Sequence, residues 1–420
     1  MKARIFLMFL MFALPITVFS QNRNVIWVHG LDGDHTSWEY YANIFTAERK
    51  INSTRQHYPG TTVNLATAAN QLRPSVPGNA STNMGIGHSM GGVMIREVDR
   101  MPEANNSAAP KKFGGYITVA SPNYGAPVSD NILKNNVHSA AATALDRLTS
   151  GPLAQSPVFT LPWTIVSGWH TTKVANLFLE GVGFLSQTTN QDLKEGSQPM
   201  NYLNENPSYV PVNNRIAIIA EETNPVHWRM ISSKLFKEGS SSTPGDDFLP
   251  ATMIIVRAAY NQKFLEHTAS AVINPFFPFF GYHANAAAQW KKGQDWIDDS
   301  ENIWCTLIKT SRQEIYTYWA EVWEPCPPNP KPIPDCGEWV WKQLTGVRTV
   351  TYKNDGLLPV YAQELKGVTG SNRYVIDHAN HFEIRNMRYS KKNGTLNDGT
   401  KNVLNDIFNR QNDWFTTPRK

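Results

Sequence analysis

The hexapeptide Gly87-His88-Ser89-Met90-Gly91-Gly92 carries a serine in the spacing Gly-x-Ser-x-Gly. Nucleophilic chemistry at such a serine needs a sharp strand-to-helix turn, where backbone angles are strained and flanking side chains have no room. Glycines at 87 and 91 leave that room, and a helix opening at Met90 aims its free N–H groups at any oxyanion formed beside Ser89. The pattern alone is weak, since about one chain in ten of this length carries it by chance. Its setting adds the weight. An apolar-containing strand from Asn83 to Gly87 precedes it, and Val93, Met94, Val98 and Met101 give the following helix an apolar side. The predicted chemistry is acyl transfer with Ser89 as nucleophile and Gly87, His88 and Gly91 shaping its turn.

A serine hydroxyl attacks poorly until a base takes its proton, and that base needs a carboxylate to hold its tautomer and stabilise the imidazolium. With the serine on such a turn, the partners follow in the order acid, then histidine. Asn354-Asp355-Gly356 and His378-Ala379-Asn380-His381 each follow a predicted late strand in that order. Asp355 is the acid so selected, although Asn-Asp-Gly is also turn chemistry. For the base, the residues themselves leave His378 and His381 both open. A tetrahedral oxyanion needs two preorganised donors. Met90 N–H is one, and His29-Gly30-Leu31, leaving the first strand, offers Leu31 N–H as the other. His29 and His88 read as structural.

These residues need a sheet to hold them. Asn24 to Val28 is a short apolar run stopped at His29-Gly30, the pattern of a buried parallel strand. Trp38, Tyr41 and Phe45 line one face of a helix predicted over 37–48. A helix over 64–73, the strand over 83–87, a helix from Met90 to Met101 ended by Pro102, and a strand from Phe113 to Val119 continue the alternation. Arg215 to Ala220, Val347 to Tyr352 and Tyr374 to Ile376 complete the predicted main sheet. Strand and helix in turn predict an α/β class fold with a mostly parallel central sheet flanked by helices.

Two large insertions interrupt that alternation. Residues 126–212, rich in Ser, Thr, Asn, Pro and Gly with helical pieces near 138–148 and 172–186, read as a cap. Residues 223–345 are too long for a plain loop and read as an aromatic-rich subdomain. They hold the run Phe276 to Tyr282 and a β-hairpin predicted from alternation at Glu314 to Trp323 and Glu338 to Lys342. The core is then expected over 21–125, a strand at 213–222, and 346–420.

Lys2, Arg4, the apolar run Ile5 to Leu14 and Val18-Phe19-Ser20 read as a signal peptide over 1–20, cleaved after Ser20. Pro15 and the polar Gln21-Asn22-Arg23-Asn24 leave this segment short for a membrane span. The mature chain is expected to be soluble and secreted, periplasmic or extracellular. Hydrophobic residues make up 41% of 420, enough for a packed core. The net charge is +4, or +2 without residues 1–20, and no basic stripe is present, so nucleic acid is excluded as a partner. Cys326 and Cys336 flank a Pro-rich loop, and an oxidising compartment favours a disulfide between them, with Cys305 left over.

Four stretches resemble the bacterial lipase and esterase branch of the α/β-hydrolases, and the deacylases related to GPI inositol deacylase. They are Val28-His29-Gly30-Leu31, Gly87 to Gly92, Asn354 to Val360, and Asn380-His381-Phe382-Glu383. The resemblance leaves out both insertions. It implies the α/β-hydrolase fold, His381 in preference to His378 as the base, an acyl-enzyme on Ser89, and a hydrophobic acyl-ester or lipid substrate. The run Phe276 to Tyr282 suits either transient contact with a lipid interface or, more often for such a run, the buried core of its insertion. Some similar lipases hold a structural calcium through an acid two residues after the histidine, which falls on Glu383. No cofactor or metal is expected. Competing functions are a deacylase or acyltransferase on a lipid-linked or polysaccharide substrate, and a binding protein that kept the fold without the activity.

Overall fold

The computed structural model describes residues 23–31, 33–60, 62–104, 111–133, 187–206, 210–222, 229–230, 233, 248–273, 280–325, 337–392 and 395–410. Strand β1 (Asn24–Val28) is apolar at four of its five positions and buried from Val25 onward, because it pairs in parallel with a strand on each side. One neighbour is β2 (Asn52–Gln56), which follows helix α1 (Glu39–Arg49). Its sequence Asn-Ser-Thr-Arg-Gln gives no apolar signal, and the sequence alone does not reveal it. The strand lies at the sheet edge and is only half-buried, so polar residues are tolerated there.

The other neighbour is β3 (Asn83–His88), reached through helix α2 (Leu65–Leu72). Then come helix α3 (Met90–Ala104), β4 (Gly115–Val119), β5 (Arg215–Glu221) and finally β8 (Arg373–Asp377). The sheet order is β2-β1-β3-β4-β5-β8, and every pairing is parallel. Alternate side chains sort to opposite faces. Val25, Trp27, Ile86, Ile117 and Ile218 pack with Trp38, Tyr41 and Phe45 beside α1 and with Leu404, Ile407 and Phe408 of the C-terminal helix Gly399–Arg410. Ile26, Val28, Tyr116, Ala217 and Ile219 pack instead with Leu65, Leu72, Val93, Met94 and Val98 of α2 and α3. Helices thus cover both faces of a six-stranded parallel sheet, the α/β arrangement expected from the sequence.

Helix α3 runs past Pro102 to Ala104, whereas the sequence suggested an end before the proline. Proline removes an N–H that would bond the carbonyl four residues earlier, here Val98. That carbonyl accepts instead from Arg73 Nη1 at 2.7 Å, which removes the cost of an orphaned acceptor.

Between β5 and β8 the described chain holds two long helices, α4 (Phe248–Ile273) and α5 (Phe280–Leu307), and a two-stranded antiparallel hairpin. Its strands are β6 (Ser311–Pro325) and β7 (Gly337–Thr351), longer than the alternation suggested. Here one expectation is corrected. Val347 to Thr351 belong to β7 and pair with Ser311 to Ile315, so they do not enter the main sheet. Alternation identifies a strand but not its partner, and the place beside β5 is taken by β8. Trp319, Trp323, Trp339 and Trp341 are exposed along one hairpin face.

The expectations for residues 1–20, for the helical pieces near 138–148 and 172–186, for Phe276 to Phe279 and for a Cys326–Cys336 bridge lie outside the described residues. Among the described residues no helix is long and apolar enough to cross a membrane.

Candidate active site

A parallel sheet whose chain reverses direction leaves a crevice beyond its carboxyl edge, where consecutive loops part to opposite faces. Here that point lies between β1 and β3. The loop after β1 carries Gly30 and Leu31, and the loop after β3 is the single residue Ser89 before α3 begins. Ser89 has φ +52°, a left-handed conformation that a serine adopts only where its surroundings enforce it. Its N–H donates to Val119 O at 2.9 Å, and its own carbonyl accepts from Gly92 N at 3.1 Å.

The turn survives because its flanks have no side chains. A Cβ on Gly91 would run into the backbone carbonyls of Val28 and His29, and one on Gly87 into the backbone of Gly91 and Gly92. Backbone cannot yield as a side chain can. Gly91→Ala is therefore expected to lower stability by about 3 kcal/mol, read from urea denaturation; an unchanged midpoint would show that the strand and helix are not in this contact.

The structure brings together Ser89, Asp355 and His381, the last preferred over His378 on resemblance. His381 Nε2 lies 2.9 Å from Ser89 Oγ, and His381 Nδ1 lies 2.7 Å from Asp355 Oδ2. Asp355 and His381 are buried, and Ser89 is the most accessible of the three at 9%. The Asn-Asp-Gly turn serves as a holder for the acid. Asp355 Oδ1 accepts from the N–H groups of Leu357 at 2.9 Å and Leu358 at 2.7 Å, which leaves Oδ2 facing the imidazole. The turn residue and the acid are therefore one and the same.

His381 is also fixed through its backbone. Its N–H donates to Asp355 O at 2.8 Å, and its carbonyl lies 2.7 Å from His88 Nε2. A carbonyl only accepts, so His88 donates from Nε2. Burial, with the neighbouring His381 ring as a second cause, holds His88 well below the ordinary histidine range. From its local pattern His88 reads only as a structural residue of the turn. Its contact with His381, 293 residues away, has no local signal.

Gly30 packs directly on the nucleophile: a Cβ there would fall 2.9 Å from Ser89 Cβ. Leu31 follows it and is packed against the α2/α3 face of the core. Gly30 O accepts from His29 Nδ1 at 2.7 Å and from Gly33 N at 3.1 Å. In a trans peptide the next N–H, that of Leu31, points opposite to this carbonyl. Met90, the other expected donor, opens α3, where helix N–H groups have no intrahelical acceptor.

Burial pushes His29 down to about 4, against the opposing effect of its bond to Gly30 O. The unfolded chain takes up this proton near 6.5 and the folded chain refuses it until about 4. Stability is therefore expected to fall as pH drops through that window, by on the order of 3 kcal/mol in total, with His88 acting in the same direction. Urea unfolding at stepped pH reads the slope. His29→Gln is expected to flatten it, and an identical slope in the variant would contradict the burial of a neutral His29.

His378, the rival base, sits elsewhere. Its φ is +57°, its Nε2 lies 3.1 Å from Arg229 Nη1, and its Nδ1 lies 3.6 Å from a Glu222 oxygen. Glu383, the residue on which a calcium ligand would fall, gives its carboxylate to Arg229 Nη2 at 2.9 Å, to Asn380 Nδ2 at 3.3 Å and to Ser390 Oγ. A guanidinium already stands where a cation would be needed, so these residues do not fit calcium. Among the described residues no group of three or more His, Cys, Asp or Glu is placed to hold a metal. Helix α5 also reaches the turn that holds the acid, since Trp304 donates from Nε1 to Gly356 O at 2.5 Å.

No family model matches the chain, and no curated protein does. Among solved structures it is similar to Staphylococcus hyicus lipase at 10% identity, covering 95% of this chain and 99% of that one with a TM-score of 0.42. Lipase 1 from Pelosinus fermentans matches at 14% identity, over 92% and 98%, with a TM-score of 0.39. A pyrethroid hydrolase from Sphingobium faniae JZ-2 matches at 15%, over 26% and 45%, with a TM-score of 0.21. Across the pyrethroid hydrolases and an extracellular α/β-hydrolase from Paenibacillus, this chain spans less than half of the neighbour's length. At these identities and scores the likenesses carry no weight for activity.

Proposed function

We propose that the chain is a secreted serine hydrolase that cleaves hydrophobic carboxylic esters through an acyl-enzyme on Ser89. One observation carries the proposal: an unbroken hydrogen-bonded line from Ser89 Oγ through His381 to a fully buried Asp355, at a strained turn. In this reading Ser89 Oγ attacks the acyl carbonyl as its proton passes to His381 Nε2. Asp355 stabilises the imidazolium and keeps the reactive tautomer. The tetrahedral oxyanion is received by the N–H groups of Met90 and Leu31. His381 then gives its proton to the departing alcohol oxygen, and a water activated by the same imidazole hydrolyses the acyl-enzyme. Export rests on Lys2, Arg4 and the apolar run Ile5 to Leu14, with the mature chain starting after Ser20.

A series of nitrophenyl esters of rising chain length tests the activity and measures the acyl pocket. Turnover by the mature protein well above that of Ser89→Ala is expected. Equal rates for the two proteins at every chain length would remove the proposal. Acyl transfer to an added alcohol in preference to water would point to an acyltransferase on the same chemistry.

A further inference from the structure

We infer that Arg229 is a positioning residue for the acid and base of this site, a role that rests on the hydrolase reading above. Arg229 is 1% exposed, although a guanidinium is costly to bury without partners. Its partners come from the loop that carries His381 and from Glu222, which follows β5 and is itself bonded to the loop that carries Asp355. On one side, Arg229 Nε donates to the Glu222 carboxylate. The backbone N–H of Glu222 donates to Asn354 O at 2.8 Å, one residue before Asp355. On the other side, Arg229 Nη2 donates to Glu383 Oε2 at 2.9 Å, two residues after His381, and Nη1 meets His378 Nε2 at 3.1 Å, three residues before it.

The guanidinium therefore joins the histidine loop directly to Glu222, and through the Glu222 backbone to the loop of Asp355; its planar fork of donors is what permits this. The rest of the histidine loop is built around the same carboxylate. Asn380 Oδ1 accepts from Phe382 N at 3.1 Å and Glu383 N at 3.0 Å, while its Nδ2 reaches Ser233 Oγ at 2.8 Å. Ser390 Oγ donates to Glu383. Without Arg229, two buried carboxylates, Glu222 and Glu383, lose the positive charge between them. The loop holding His381 then relaxes away from the Asp355 turn, and the proton relay loses register.

The test compares wild type, Arg229→Ala and Arg229→Lys on a nitrophenyl ester, with active sites counted by fluorophosphonate titration. For Arg229→Ala, kcat per titrated site is expected to fall about 10²-fold, the cost of a misplacement near 1 Å, with KM little changed. Millimolar guanidinium chloride is expected to restore much of that loss, while sodium chloride at equal strength does not. A lysine, one donor point in place of a fork, is expected to fall between wild type and alanine. A purely structural arginine would lower the number of titratable sites and leave kcat per site at the wild-type value, which overturns the inference; so does a lowered kcat untouched by guanidinium.

Should Arg229→Ala fail to fold, Glu383→Gln keeps the shape and removes the charge. A fall in its kcat with KM unchanged then supports the inference, and a wild-type kcat overturns it. Wild-type protein without turnover would instead remove the hydrolase reading, and this role with it.

Discussion

Ser89→Ala is expected to lower kcat for ester hydrolysis by about 10⁶-fold while leaving the fold intact. The substitution removes only Oγ. The backbone bonds that hold the turn, Ser89 N–H to Val119 O and Gly92 N–H to Ser89 O, are untouched. The left-handed φ of +52° is already strained for serine, and alanine bears a similar strain. Turnover that survives is what an oxyanion site and binding alone can give, roughly 10³- to 10⁴-fold above water. Steady-state kinetics beside a urea denaturation curve separates the two effects. A loss of less than tenfold with normal stability would mean that another group performs the attack.

Asp355→Asn is the second large effect, an expected fall of about 10⁴-fold in kcat with KM nearly unchanged. The amide oxygen can still accept from Leu357 and Leu358 N–H, so the turn keeps its form. Its NH₂ then faces His381 Nδ1 in place of Oδ2. A donor there drives the imidazole proton to Nε2, and a protonated Nε2 cannot accept from Ser89 Oγ. The base is present, correctly placed and in the wrong tautomer. The outcome separates this arrangement from one in which Asp355 is only a turn residue, for which kcat would stay within a few-fold of wild type while stability changed.

Much of this site could be read along the chain because its parts lie in short local patterns. The central strands β1, β3 and β4 are buried on both faces and therefore contain apolar runs, with glycines where helix and strand meet. Ser89 and His381 each follow a strand at the carboxyl edge of the sheet, Asp355 follows the hairpin strand β7, and their order along the chain is that of nucleophile, acid and base. The failures have physical causes too. β2 is polar because an edge strand need not be apolar, and Val347 to Thr351 alternate like a sheet strand but found β6 as partner. Arg229 has no local signature in the sequence. A lone arginine has no periodicity, and its partners Glu222, His378 and Glu383 come from two other segments that only the folded chain brings to it.

The choice between His381 and His378 was made by resemblance, since both lie in one loop after β8. Their geometry differs. His381 points along the line to Ser89, and His378 turns into the buried ion network around Arg229.

The activation of Ser89 can be read directly by treating the folded mature protein with a fluorophosphonate and locating the adduct by peptide mass spectrometry. The account predicts one stoichiometric adduct on Ser89, slowed by orders of magnitude in His381→Ala. Folded wild-type protein that stays unlabelled, or that carries its adduct on another residue, would contradict it.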